Sequence, residues 1–388
     1  MNIGIDQIGL YSPHYYVDLA ELATARGVDP NKFIIGIGQS QQAVPPSSED
    51  VVTMSADAAQ DFIHEINTSK IGLLIVGTET GIDASKSAAV IAQRLLELPE
   101  TIRTYEIKQA CYGGTAALMT ARDYVAAHPD KTALIFAADI ARYGLEDGGE
   151  VTQGAGAVAM LISANPRLMT VEDDSQFISR DIMDFWRPVY TDLALAKGKY
   201  STEQYIQFFQ DVWRNYTQAT GRSLSDFAAI NFHLPYTKMG MKALRTVLPE
   251  ADVATQGRLT DNYALATIYS RQIGNIYTGS LYLGLLSLLE HSTDLQAGDR
   301  LGMFSYGSGA VGEFFSGVLQ PGYADQLHAA AHQQLLANRS KLSVADYERV
   351  FLNKVPYAAD DYVSDTSMQT GKFRLTGVQN QERQYTIK

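Results

Sequence analysis

Apolar runs and helical periodicity alternate along the chain in an order that occurs twice. Residues 71–77 read Ile-Gly-Leu-Leu-Ile-Val-Gly, and residues 227–232 form a second apolar run. Such runs are typical of strands buried on both faces of a sheet. Apolar side chains recur at helical spacing after residue 111 and again after residue 280. Each of these predicted helices is followed by a strand and then by a strand that begins with glycine.

The two glycine-led strands indicate an internal duplication. Gly154-Ala-Gly-Ala-Val nearly repeats as Gly307-Ser-Gly-Ala-Val. We therefore predict an N-terminal half at 1–165 and a C-terminal half at 166–388, with an irregular, aromatic insertion at about 166–225. Two related α/β halves joined about a pseudo-twofold axis bring the ends of four strands together. Ligands bind at the carboxyl ends of strands in such sheets, so a site is expected there.

The pattern also predicts the remaining elements, and no linker or low-complexity tract interrupts them. They are a strand at 3–11, a helix at 17–25, a strand or turn at 31–39, helices at 51–66, 87–98 and 202–220, strands at 104–108, 132–138 and 300–305, a helix opened by Gly274 and Asn275, and a tail that is helical at 323–337 and 344–353 and strand-like at 372–385.

Composition and charge narrow the class of protein. The chain has 388 residues, 46% of them hydrophobic, which suits a folded protein with a large core. Its net charge of −12 argues against nucleic acids and acidic membranes as partners. A single cysteine excludes an internal disulfide and fits a reducing, cytoplasmic compartment. The N-terminus does not resemble a signal peptide, and no apolar run approaches the roughly 18 to 20 residues that span a bilayer.

The only cysteine lies where a predicted strand turns into a helix. At such a place the backbone N–H groups and the helix dipole favour the thiolate of Cys111, which is the nucleophilic form. Gly113 and Gly114 carry no side chains, so the helix can approach its neighbours closely. The alternative is a buried structural cysteine, which is the more frequent role of a lone cysteine.

Three other polar residues lie at the predicted strand and helix ends. Glu79 follows a buried strand, where desolvation should raise its pKa into the range useful for proton transfer; its alternative role is a helix N-terminal acid. His233 alone among seven histidines ends an apolar strand, although such a histidine can simply be part of the core. Asn275 offers an uncharged amide, or else an N-cap. Developing oxyanions need N–H donors, for which the amides of Cys111 and Ser308 are candidates.

Basic side chains recur after His233 at helical spacing. Lys238, Lys242 and Arg245 are four and three residues apart, so they would share one helix face. In an acidic protein such a face suits phosphate groups, but it can equally be a solvated surface stripe. His328 and His332 have zinc-like spacing but lack an intervening glutamate and a third ligand, so we predict no metal site.

Five motifs in order resemble one family, 3-hydroxy-3-methylglutaryl-CoA synthase, whose members are thiolase-fold condensing enzymes. The resemblance extends from the N-terminus to about residue 319. It implies a thiolase-like α/β fold in which two duplicated halves form five layers, αβαβα. The motifs are Cys111-Tyr-Gly-Gly-Thr, Val76-Gly-Thr-Glu79-Thr, Phe232-His233-Leu-Pro235-Tyr, Gly274-Asn275-Ile-Tyr277-Thr and Phe304-Ser-Tyr-Gly-Ser308-Gly.

The resemblance also implies an activity and a role for each matched residue. Cys111 would be acetylated by acetyl-CoA, Glu79 would act as general acid and base, and His233 would help to anchor acetoacetyl-CoA, giving HMG-CoA for the mevalonate pathway. No cofactor beyond the CoA thioesters is implied, and a homodimer is expected. The other matched positions are Tyr143 near the acyl group, Asn275, Ser308, Gly307, Pro235 and Tyr277 in the substrate site, and Lys32, Lys238 and Lys242 at the CoA phosphates. No role is assigned to Phe-Trp-Arg-Pro at 185–188.

Three rival interpretations remain open from the sequence. A ketoacyl synthase of the third type uses Cys, His and Asn on the same fold but has no evident need for Glu79. A degradative thiolase is disfavoured because its second active-site cysteine has no counterpart here. A non-catalytic acyl-CoA-binding scaffold would keep the fold without the chemistry.

Overall fold

The computed structural model describes residues 2–388. Its strands are β1 (Ile3–Tyr11), β2 (Tyr15–Asp18), β3 (Gln41–Val44), β4 (Ile71–Gly77), β5 (Arg103–Ile107), β6 (Thr132–Ala141), β7 (Gly154–Ala164), β8 (Met169–Val171), β9 (Gln176–Ser179), β10 (Phe185–Trp186), β11 (Leu195–Ala196), β12 (Ala229–Phe232), β13 (Arg300–Gly307), β14 (Val311–Leu319), β15 (Ser340–Leu342), β16 (Tyr362–Val363), β17 (Phe373–Gln379) and β18 (Glu382–Ile387). Its α-helices are α1 (Leu19–Ala25), α2 (Val51–Ala58), α3 (Ala88–Leu95), α4 (Gly113–Ala127), α5 (Gly198–Thr220), α6 (Met239–Leu244), α7 (Val253–Ala266), α8 (Ile268–Ile273), α9 (Ser280–His291), α10 (Ala329–Ala337) and α11 (Val344–Leu352).

Helix starts follow from local capping chemistry. The side chain of Asp50 accepts hydrogen bonds from the backbone N–H groups of Val52 and Thr53, and the hydroxyl of Thr53 accepts one in return from the N–H of Asp50. This capping box satisfies N–H groups that have no partner inside the helix, and α2 begins at Val51 as predicted. The predicted end at residue 66 is wrong, because the regular helix stops at Ala58.

The central sheet confirms the predicted duplication. In the first half β4 is parallel to β5 and β6, and β6 is antiparallel to β7. In the second half β12 is parallel to β13, which is antiparallel to β14. The two sets join through β1 and β8 in the order β12-β13-β14-β8-β1-β7-β6-β4-β5, with β9 paired to β14.

The buried side chains separate into the five layers that the family resemblance implies. One apolar cluster joins α4 and α9 to the inner faces of strands from both halves. A second lies between the opposite face of β4, β6 and β7 and the outer helices α2 and α3. A third lies between β12, β13 and β14 and the outer helices α5 and α6. Helices thus cover both outer faces and fill the space between the two half-sheets.

The second glycine-led strand starts later than predicted. Gly307 ends β13, and β14 begins only at Val311, because Gly309 between them has a φ of 107°, which a regular strand does not adopt.

Two other predicted segments also differ in the structure. Residues 31–39, predicted as a strand or turn, contain a π-helical turn at Lys32–Ile37. The helix predicted to open at Gly274 begins only at Ser280, after a short 3₁₀ turn at Tyr277–Gly279. Gly274 and Tyr277 have φ angles of 90° and 42°, and such left-handed backbone cannot continue an α-helix.

The C-terminal tail packs on the N-terminal half. Strand β15 pairs in parallel with β2, and Phe373 of β17 joins the cluster beneath α2 and α3. The predicted boundary at 165/166 stays a prediction. No helix within residues 2–388 combines the length and the apolar character that crossing a bilayer requires.

Candidate active site

Cys111 lies between the end of β5 and the start of α4. Its Sγ donates a hydrogen bond to Glu79 Oε1 at 3.1 Å. The preceding residue, Ala110, has a φ of 44°, a conformation that L-residues rarely adopt. Gly114 must be a glycine, because a Cβ there would lie 2.5 Å from the carbonyl oxygen of Thr278. The backbone therefore turns sharply and brings the sulfur to the end of β4.

The expected thiolate is wrong for this arrangement. Burial raises the pKa of the Cys111 thiol well above its ordinary value, and the nearby carboxyl groups of Glu79, Asp139 and Asp184 raise it further. Cys111 precedes the N-cap residue of α4, Tyr112, so it lies outside the first helical turn, in which the dipole acts most strongly. The sulfur consequently rests as a thiol that donates to Glu79.

The raised pKa expected for Glu79 is confirmed. The side chain is buried, and this burial, together with the charge of Asp139, raises its pKa to about 8. The guanidinium of Arg187 opposes the shift. A carboxyl group with such a pKa is half-protonated at about pH 8 and keeps roughly one-tenth of its carboxylate form at pH 7, so it can both accept and return a proton.

Asp139, which the sequence analysis did not single out, ties two site segments together. Its Oδ1 accepts hydrogen bonds from the backbone N–H groups of Glu79 and Thr80 and from the hydroxyls of Thr78 and Thr80. Its Oδ2 accepts from the N–H and the hydroxyl of Thr278. The strand predicted at 132–138 ended one residue before Asp139, whereas β6 continues to Ala141. A single carboxylate within an otherwise apolar strand is the sequence feature that could have identified this residue.

His233 directly follows β12 at the same edge of the sheet. Its backbone N–H donates to the carbonyl of Phe304 on β13 at 2.8 Å. The ring is buried, and Nδ1 has no hydrogen-bond partner among the described residues. Burial lowers the pKa of His233 to about 3, so the imidazole is neutral. Strands β12 and β13 are parallel, so His233 lies at the carboxyl edge where β13 ends.

The end of β13 packs against the loop between β5 and α4, which carries Cys111. A Cβ on Gly307 would lie 2.5 Å from the carbonyl oxygen of Gln109 and 2.6 Å from the backbone nitrogen of Tyr112, so the turn that carries Ser308 is next to Cys111. The fold thus brings Glu79, Cys111, Ser308 and His233 to one edge of the sheet.

Aromatic rings form one wall beside the sulfur. Tyr143 and Tyr277 both surround Cys111, as the matched motifs imply, and their ring centroids are 6.4 Å apart. Phe185 completes the wall at 5.9 Å from Tyr143, although no role was assigned to it from the sequence. Asn275 is buried, and its Oδ1 accepts from the N–H of Tyr277 and from a serine hydroxyl. Asn275 is not an N-cap, because Ile276 precedes the 3₁₀ turn and Gly279 precedes α9, and its amide nitrogen takes no part in those two bonds.

The predicted basic residues converge from two segments. The carbonyl of Ile37 accepts hydrogen bonds from the hydroxyl of Thr237 and the N–H of Lys238, so the turn that carries Lys32 packs against the start of α6. Lys242, on α6, donates to the hydroxyl of Tyr236 at 2.8 Å.

The shared helix face predicted for these residues is only partly formed. Helix α6 spans Met239–Leu244, so Lys238 and Arg245 flank it rather than belong to it. The three lysines Lys32, Lys238 and Lys242 are exposed, and Pro235 is half-buried between His233 and this basic group. Within residues 2–388 no group of three or more His, Cys, Asp or Glu side chains is arranged to hold a metal ion.

Comparison with known proteins identifies the family. The family model for the hydroxymethylglutaryl-coenzyme A synthase N-terminal region matches residues 1–167, and that for the C-terminal region matches residues 253–388. The chain belongs to the hydroxymethylglutaryl-CoA synthase family. It is 48% identical over 385 residues to hydroxymethylglutaryl-CoA synthase of Enterococcus faecalis, covering 99% of this chain and 100% of that protein. The family resemblance inferred from the motifs is confirmed.

Structural similarity supports the same assignment. A crystal structure of an HMG-CoA synthase complexed with CoA matches with a TM-score of 0.96 and 42% identity over the whole of both chains. The polyketide-pathway 3-hydroxy-3-methylglutaryl-ACP synthase PksG of Bacillus subtilis is 30% identical over 90% of this chain and 88% of its own. The predicted thiolase-like fold is confirmed, and the chain is a condensing enzyme of the acyltransferase class.

Proposed function

We propose that this chain condenses acetyl-CoA with acetoacetyl-CoA to give HMG-CoA and free CoA, through an acetyl group on Cys111. The observation that carries the proposal is the 3.1 Å contact between the Cys111 sulfur and the Glu79 carboxyl group at the edge of the sheet. A nucleophile and a proton-transfer group in one buried place are what a stepwise carbon–carbon condensation requires.

The first step exchanges one thioester for another. Cys111 Sγ forms a bond to the acetyl carbon, the bond from that carbon to the CoA sulfur breaks, and the thiol proton leaves with CoA. The exchange consumes no net proton, so the high pKa of the thiol slows the attack without preventing it. The backbone amides of Cys111 and Ser308 are our candidates for stabilising the oxyanion.

The second step uses Glu79 twice. As a carboxylate it removes a proton from the acetyl methyl group, and the resulting carbon attacks the ketone of acetoacetyl-CoA. The carboxylic acid then returns its proton to the tertiary alkoxide, and water hydrolyses the thioester to release HMG-CoA. A pKa of about 8 suits both halves of this exchange.

The second half of the chain holds the acceptor. Because His233 is neutral and its Nδ1 is unpaired among the described residues, one ring nitrogen can donate a hydrogen bond to the acetoacetyl thioester oxygen. The amide nitrogen of Asn275 serves the same substrate beside Tyr277, Tyr143, Gly307 and Pro235. Lys32, Lys238 and Lys242 attract the CoA phosphates.

The remaining parts of the proposal concern organisation. Residues 1–165 supply Glu79 and Cys111, and residues 166–388 supply His233, Asn275 and Ser308. We expect a cytoplasmic homodimer in the mevalonate pathway that needs no cofactor beyond its CoA thioesters. The reducing compartment is supported by the single, free cysteine, and the dimer by family resemblance alone.

Product identification with both thioesters supplied together tests the proposal. Mass spectrometry should find one acetyl group on Cys111 after acetyl-CoA alone, and HMG-CoA after both substrates. Decarboxylation of a malonyl thioester with condensation onto the enzyme-bound acetyl group would instead favour the ketoacyl synthase, and the absence of any adduct would favour the scaffold. Cys111→Ala is the matched control, since it removes the sulfur and should remove the adduct.

A further inference from the structure

A short hairpin from the insertion covers the site. Strands β10 and β11 pair only through Phe185 with Ala196 and Trp186 with Leu195. Phe185 and Ala194 belong to the apolar cluster that contacts Cys111. Two residue pairs cannot hold a hairpin in water, so its position must come from contacts outside the hairpin.

The base of the hairpin is fixed to the second half. Asp184 is fully buried, and its Oδ1 accepts a hydrogen bond from the backbone N–H of Gly309 at 2.9 Å. Its Oδ2 accepts from the hydroxyl of Tyr306 at 2.8 Å. These bonds fix the residue before the hairpin, but they do not hold its loop, where Val189 and Tyr190 are mostly exposed.

The loop itself is held by ion pairs to two other segments. Asp192 Oδ2 lies 3.0 Å from Arg142 Nε, and Asp192 Oδ1 accepts a hydrogen bond from Lys354 Nζ. The backbone carbonyl of Arg142 accepts from the N–H of Ala194 at 2.9 Å. Arg142 directly precedes Tyr143 of the aromatic wall, and Lys354 follows α11 in the tail.

The tail also supports Arg142. The guanidinium carbon lies 3.9 Å from the ring centroid of Phe351, and Nη2 donates to the carbonyl of Phe351. The side chains of Arg142 and Asp192 are 12% and 19% exposed. A cation so far removed from water needs a partner, which ties the loop to this place more firmly than a surface pair would.

We infer that Asp192 is a positioning residue, which joins the hairpin to Arg142 and to Lys354 and so holds Phe185 and Arg187 against the reacting groups. The inference rests on the proposed roles of Cys111 and Glu79. It gives the C-terminal segment after α11 a part in the chemistry of the first half, although no tail residue was predicted to belong to the site.

Arg187, which directly follows β10 in the hairpin, connects the position of the hairpin to the ionisation of Glu79. Its positive charge lowers the pKa of Glu79 against the effect of burial. If the loop is released, Arg187 is free to move into water and this opposing charge weakens. The pKa of Glu79 should then rise, and the pH at which condensation reaches half its maximum should rise with it. A merely structural role would lower stability without moving that profile.

Two variants and one matched control test the inference. Asp192→Asn removes the charge that both cations share, and Lys354→Met removes one cation at a more exposed position, which limits the risk of unfolding. Glu21→Gln is the control, because Glu21 also binds the tail, through Lys341 Nζ at 2.6 Å, but lies outside the hairpin. Limited proteolysis, the pH profile of condensation and acetylation of Cys111 are measured on the whole protein.

The expected result is a hairpin that is cleaved within 187–195 about tenfold faster in both variants and a condensation profile shifted to higher pH. Lys354→Arg should restore both values, and Glu21→Gln should change neither. Faster cleavage with an unmoved pH profile would overturn the positioning role, as would unchanged cleavage. If the unaltered protein fails to acetylate Cys111, the proposed function fails instead, and the proteolysis still reports whether the ion pairs hold the loop.

Discussion

The units β4–α4–β6–β7 and β12–α9–β13–β14 share one strand pattern but end in different chemistry. In each unit a parallel pair of strands flanks a buried helix, and an antiparallel strand follows. The first unit ends in a thiol and two buried carboxyl groups, those of Cys111, Glu79 and Asp139. The second ends in the neutral ring of His233 and the amide of Asn275.

One physical cause acts with opposite sign in the two units. Burial disfavours the charged form of any group, so it raises the pKa of Glu79 to about 8 and lowers that of His233 to about 3. The acid therefore titrates in the physiological range, while the base no longer does. In our proposal the first unit moves protons and the second only holds substrate. Variants of the first unit should then lower turnover, and those of the second should raise the Michaelis constant.

Loss of the Glu79 carboxyl group is expected to have the largest effect. Glu79→Ala should slow carbon–carbon bond formation by about 10²- to 10⁴-fold, the usual contribution of a general acid or base. Acetylation should persist, because removing the carboxylate also removes a charge that raises the pKa of the thiol. Single-turnover assays with acetyl-CoA and then acetoacetyl-CoA separate the steps. Lost acetylation with normal condensation would contradict the assignment.

Removing the lysines near α6 should affect binding far more than turnover. The double variant Lys238→Ala and Lys242→Ala is expected to raise the Michaelis constant for CoA esters by about tenfold or more, because charge-assisted bonds to phosphate are lost. Steady-state kinetics at low and high salt measure this. Lys70→Ala is the control, since exposed Lys70 precedes β4 at the opposite edge of the sheet. An unchanged Michaelis constant would remove both lysines from the CoA site.

A smaller effect is expected for His233. His233→Ala should raise the Michaelis constant for acetoacetyl-CoA by about fivefold, the value of one neutral hydrogen bond. Because the pKa of His233 is about 3, the ratio of variant to unaltered protein should stay constant from pH 6 to pH 9. A ratio that changes near pH 6.5 would show that the ring carries a proton and would break the contrast between the units.

The pH profile itself gives the finest test. Condensation should rise with pH and level off above about pH 8, because a base must be deprotonated before it can act. Asp139→Asn removes a negative charge that raises the pKa of Glu79, so the rise should move to lower pH. Thr278→Val is its partner control, since it removes one hydrogen bond to Asp139 without removing charge. A profile that does not move would exclude coupling between the two carboxyl groups.

Local pattern was sufficient for the strands and for the order of elements. β1 and β4 occupy 3–11 and 71–77 as predicted. The first was predicted from alternation, and the second from a continuous apolar run, which is typical of a strand buried on both faces. The duplication could also be predicted from the repeated Gly-x-Gly-Ala-Val sequence, although Gly154 begins β7 whereas Gly307 ends β13. The turns at 31–39 and 274–279 could not, because left-handed and π-helical backbone depends on contacts that have no periodic signal.

The sequence by itself determined which residue types could perform the chemistry: one thiol, an acid after a buried strand, and one histidine at a strand end. Only the tertiary structure decided their ionisation, because water is excluded by neighbours distant in the chain. Burial and the carboxyl groups of Glu79, Asp139 and Asp184 raise the pKa of the Cys111 thiol, and no local pattern predicts that these groups lie near it. The role inferred for Asp192 likewise depends on its ion pairs with Arg142 and Lys354, since ion pairing depends on distance in space rather than on spacing in sequence.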